Sequence, residues 1–71
     1  MTIELTIEEK VAIVMQHLKT VAYAEYNAIL SLAEAKAVAN PNTENITSLT
    51  NQLEDITAQK EALQEELDSL S

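Results

Sequence analysis

A chain of 71 residues with no Cys, Gly, Trp, Phe or Arg and a single Pro fits one small domain, and it excludes a multidomain enzyme, a disulfide scaffold and any glycine loop that cradles phosphate. Twelve acids against four lysines give a formal net charge of −8, which speaks against nucleic acid or an anionic membrane as partner, because displacing phosphate counterions needs clustered cations. A chain this short buries only about 60% of the surface its unfolded form exposes, so its stability is expected to draw on a metal or another subunit.

The opening segment, Met1 to Lys10, is acidic and has no continuous apolar stretch. It therefore lacks the features of a secretory signal peptide. The longest unbroken apolar run, residues 11–15, is far below the roughly 18 residues of a membrane span. The expectation is a soluble, intracellular, cytoplasmic protein, in which the sequon at Asn45, Ile46 and Thr47 is a chance match. Ile3, Leu5 and Ile7 alternate with Thr2, Glu4 and Thr6, so residues 1–5 form an N-terminal arm with a weak strand pattern.

Helix one is predicted from about residue 6 to about 39. Thr6 and Glu9 have capping-box spacing, and Glu8 and Glu9 suit the positive end of the helix dipole. The stretch beyond them is rich in strong helix formers and has no breaker until Pro41. Asn40, Pro41, Asn42 and Thr43 are the one cluster of turn residues: Asn40 suits a left-handed C-cap, Pro41 cannot continue the ladder, and Asn42 or Thr43 can cap the second helix. With a turn at about 40–42, helix two runs from about 43 to 70. Two long helices joined by so short a link fold back as an antiparallel hairpin.

Helix two carries the clearest pattern. Ile46, Leu49, Leu53, Ile56, Lys60, Leu63, Leu67 and Leu70 keep 3-4 spacing without a slip, and nearly everything else on the helix is polar. This is coiled-coil patterning with one narrow seam. Helix one repeats it with Ile7, Val11, Val14, Leu18, Val21, Glu25, Ala28, Leu32, Ala35 and Ala39, then adds apolar residues off the seam. One partner helix covers a stripe only about 100° wide, so helix one has a second face that the hairpin leaves wet. Charge divides the same way: residues 1–39 are net −2 and residues 42–71 net −6, which makes helix two the outer helix.

These patterns define an all-α fold class: an antiparallel helical hairpin assembling as a homodimeric four-helix bundle or coiled coil, with a tetramer as the less favoured form. Met15, Ala22, Tyr26, Ile29, Leu30 and Ala33 are the candidate oligomer interface, the alanines allowing close backbone approach. Glu25 and Lys60, the one charged interruption of each seam, fall within about a helical turn of each other when the chain is folded at residues 41–42. They are candidates for a partly buried ion pair that sets register. Alternatively, Lys60 lays its stem on the seam and sends its ammonium to water.

Nothing in the chain arranges catalysis. His17 is the only His and has no acid three residues before it, so the Glu-x-x-His signature of di-iron bundles is missing. Glu54, Asp55, Glu61, Glu65, Glu66 and Asp68 belong to a solvated helix back rather than to an acid–base pair. The expectation is therefore no enzyme, no metal and no cofactor. The chain is read as a structural or protein–protein interaction module whose partner is itself. The alternative is an acidic binding module, chaperone-like or inhibitory, that covers a basic or amphipathic helical protein.

Overall fold

The computed structural model describes residues 3–71. Two helices, α1 (Ile7–Lys36) and α2 (Thr43–Leu70), pack against each other as an antiparallel hairpin measuring 59 × 23 × 14 Å. The expected arm lies partly outside the described residues, at Met1 and Thr2. Residues 3–6 form neither helix nor strand. The alternation of Ile3 and Leu5 makes no strand because the described residues offer no second strand to accept its backbone bonds.

α1 starts at the capping box. The Glu9 N–H donates to Thr6 Oγ1 at 3.1 Å, and the Thr6 N–H donates to Glu9 Oε1 at 3.0 Å. Two of the amides left over at the helix start are thereby satisfied by neighbouring side chains. Thr6 holds the Glu9 carboxyl below its ordinary range, first through its backbone amide and then through its hydroxyl.

The helix ends earlier than expected, at Lys36 rather than about 39, and the connection is residues 37–42 rather than 40–42. The N–H of Ala37, at φ −86° and ψ 2°, donates to the Glu34 carbonyl at 3.2 Å and tightens the last turn. Pro41 explains why the helix cannot run on. Its ring would clash with the carbonyl of residue 37 in a continued helix, and it pushes Asn40 out of helical geometry. Asn40 does not adopt the left-handed cap expected of it, since no described residue has positive φ. α2 starts on Asn42, whose Oδ1 accepts the Asn45 N–H at 3.1 Å.

The seam keeps the 3-4 spacing. All eight positions of α2 from Ile46 to Leu70 are half-buried, as are Val11, Leu18, Val21, Glu25, Leu32 and Ala35 of α1, while Val14 and Ala28 are buried. Ile7 and Ala39, placed on the seam by their spacing, are exposed: Ile7 lies in the first turn of α1 and Ala39 in the connection beyond its end.

The capping box leads to two expected outcomes. Thr6→Ala lowers stability by about 1 kcal/mol, read as a drop in the thermal midpoint by circular dichroism. Glu9→Gln keeps both hydrogen bonds but removes the charge. Because folding lowers the carboxyl's affinity for protons, the charged form favours the folded state. That contribution is complete above the ordinary glutamate range and is lost as pH falls through the lowered folded value. The wild-type chain is therefore more stable than Glu9→Gln at neutral pH, and the two midpoints converge in acid; a gap that persists in strong acid contradicts this origin.

Candidate protein–protein interface

Lys60 Nζ donates to Glu25 Oε2 at 2.8 Å across the hairpin, with the Lys60 side chain 41% exposed and that of Glu25 23%. The Lys60 ammonium is thus paired with Glu25 rather than sent to water, although part of the side chain stays exposed. For an ion pair this open, the contribution to stability is roughly 0.2–1 kcal/mol. Its geometric information is larger. At equal rise in the two helices, putting residue 25 level with residue 60 puts Leu18 level with Leu67, Leu32 with Leu53, and Val21 close to Leu63. The same register leaves the first turn of α1, with Ile7, beyond the last turn of α2.

Thr50 and Thr57 flank this seam, half-buried, and spacing alone did not single them out. Their hydroxyls donate to the carbonyls of Ile46 and Leu53 at 2.8 and 2.9 Å. A hydroxyl satisfied by its own helix can be shielded from water without leaving an orphaned donor. Among the described residues no buried side-chain polar atom lacks a partner.

The seam leaves much of the apolar surface uncovered. Only Val14 and Ala28 are buried, and no side chain is fully enclosed among the described residues. Met15 is 53% exposed, Tyr26 62%, and Ile29 and Leu30 44% each; Ala22 and Ala33 are exposed beside them. A compact monomer of 7.8 kDa exposes about 4,400 Å², whereas this chain exposes 5628 Å². At about 100° per residue, Met15, Ala22, Tyr26, Leu30 and Ala33 cluster on one stripe centred about 120° around α1 from the seam, with Ile29 in the crease between the two. A hollow of about 280 Å³ with almost entirely apolar walls lies on that stripe, lined by Lys19, Ala22, Tyr23 and Tyr26. Ile13 falls on the opposite flank and Val38 lies in the connection beyond α1, so neither extends it.

A concavity of about 470 Å³ is an open trough along the polar back of α2 between Thr43 and Asp55. Its Thr47 and Ser48 hydroxyls have no His or Lys beside them to act as base. His17 is exposed, as are Glu54, Asp55, Glu61, Glu65, Glu66 and Asp68. Among the described residues no three acids or histidines converge as metal ligands, and no helix is long and apolar enough to cross a membrane. Comparison with protein-family models, with curated proteins and with solved structures finds no match to this chain.

The ion pair has a measurable signature. Lys60→Leu leaves the Glu25 carboxylate without its partner on a half-buried seam and lowers the thermal midpoint by several degrees, at about 4–8 °C per kcal/mol. Replacing Glu25 and Lys60 together by Leu keeps or raises the midpoint but broadens the distribution of assembled species on a sizing column. If Lys60→Leu alone costs neither stability nor homogeneity, the pair does not set register.

Proposed function

We propose that the chain is a non-enzymatic structural or protein–protein interaction module, a small acidic helical hairpin that self-associates through α1. The observation that carries this reading is the exposure of Met15, Tyr26, Ile29 and Leu30 in a chain with only two buried residues among those described. A contiguous apolar face of this kind is more than soluble monomers ordinarily carry. The seam of α2 is already occupied and its remaining faces are polar, so α1 is the helix with surface to offer. A dimer is the smallest closed assembly that covers this face, and a tetramer is the next.

The other reading is an acidic module that covers a basic or amphipathic helical protein, supported by the net charge of −6 over residues 42–71. The two readings differ in what the purified chain does alone. Light scattering on a sizing column at two concentrations, with circular dichroism alongside, is expected to give about twice 7.8 kDa, helical and unchanged by dilution. A poorly helical or aggregating chain favours the missing partner. Tyr26→Glu places a charge on the α1 face and weakens the dimer by about 3 kcal/mol, more than a hundredfold in dissociation constant. A helical monomer at both concentrations overturns self-association.

A further inference from the structure

We infer that α1 is covered by a second copy of itself running antiparallel, about a two-fold axis that passes between Ala22 and Tyr23. This rests on the self-associating reading above and adds to it the direction and register of the contact.

The spacing of the exposed face is the first ground. Ala12, Met15, Lys19, Ala22, Tyr23, Tyr26, Leu30 and Ala33 are all exposed, and all lie within about 50° of one line along α1. Their successive separations, 3, 4, 3, 1, 3, 4 and 3, read the same in both directions. An antiparallel two-fold at this midpoint sets residue i of one copy level with residue 45 − i of the other. Ala12 comes level with the partner's Ala33, Met15 with the partner's Leu30, Lys19 with the partner's Tyr26, and Ala22 with the partner's Tyr23. Ala22 and Tyr23 lie on opposite edges of the face, so at the centre each comes nearest its own copy, and the small Ala22 pair lets the backbones approach. The four residues lining the apolar hollow, Lys19, Ala22, Tyr23 and Tyr26, are the four nearest that axis. The hollow is thus centred on the proposed axis.

Charge gives the direction independently. A parallel two-fold pairing sets each residue beside its own copy, Lys19 against the partner's Lys19 and Glu8 against the partner's Glu8. The antiparallel pairing separates these like charges. It lays the Lys19 ammonium against the ring of the partner's Tyr26, a favourable cation–π placement. It also opposes the two helix dipoles.

α2 cannot supply the contact, because it carries seven acids against one lysine and no second apolar stripe.

The chain has no cysteine, so single cysteines are unambiguous probes. Ala12→Cys, Ala22→Cys and Ala33→Cys are made separately and checked for helicity and mass. They are then treated with a short bifunctional maleimide, alone and after Ala12→Cys and Ala33→Cys are refolded together. Antiparallel packing separates residue 12 from its own copy by about 31 Å. The expected result is a covalent dimer from Ala22→Cys alone and from the Ala12→Cys and Ala33→Cys mixture, with none from either of those variants alone. Cross-linking of Ala12→Cys with itself shows a parallel pair and overturns the inference. No cross-linking in chains that scatter as dimers places the contact on another face; it overturns the inference while leaving self-association standing. Monomeric mass for the unmodified chain removes self-association itself, and this inference with it.

Discussion

The structure depends on the fact that one helix can shield only one stripe of another. Two long helices closed by a short link bury a single seam each, and no third layer exists to cap the remaining surface. The result is a hairpin 59 Å long and 14 Å thin whose described residues include only two that are buried. Every other feature can be set against that shortage. Caps at Thr6 and Asn42 satisfy the helix starts locally, and Thr50 and Thr57 return their hydroxyls to their own helix. Such devices suit a chain whose interior is too small to supply tertiary partners for its polar groups.

Within the seam, Glu25 and Lys60 illustrate the difference between strength and specificity. A half-exposed ion pair adds little to stability, and an apolar pair there would pack at least as well. An uninterrupted Leu and Ile ladder, however, is degenerate under a shift of one heptad, because each register buries a similar set of side chains. In this hairpin the one acid on the α1 seam and the one base on the α2 seam lie 2.8 Å apart, a contact that a shift of one heptad would break.

Much of this hairpin could be read in the residues. The α2 seam was legible position by position because its back is polar, so spacing and composition coincide from Ile46 to Leu70. The starts of both helices were legible because Thr6 with Glu9, and Asn42 with Asn45, act within one turn. The end of α1 was not: Asn40 is a suitable left-handed cap by residue type, but Pro41 acts backwards along the chain and unwinds it from residue 37. The exposure of Ile7 depends on where the opposite helix stops, which no local pattern encodes. Thr50 and Thr57 escaped because their shielding comes from lying beside the seam rather than on it. The second face of α1 could be seen in outline from its apolar surplus, but the hollow around Tyr23 emerges only when side chains occupy space.

The charge distribution constrains how such a chain can associate at all. Each copy carries −8, and six of those charges belong to residues 42–71. Two copies meeting through α2 would set their acidic helices one packing distance apart, about 8–10 Å, close to the Debye length at physiological ionic strength. Meeting through α1 on a stripe about 120° from the seam places the α2 axes roughly 16–20 Å apart by the same spacing, about two Debye lengths, where screening removes most of the repulsion. α1, with four acids against three lysines, is nearly neutral along the surface it offers. Apolar surplus and low charge thus coincide on one helix, and polar surface and high charge on the other. That segregation confines most of the acidic surface to one helix while leaving one face of the other uncovered.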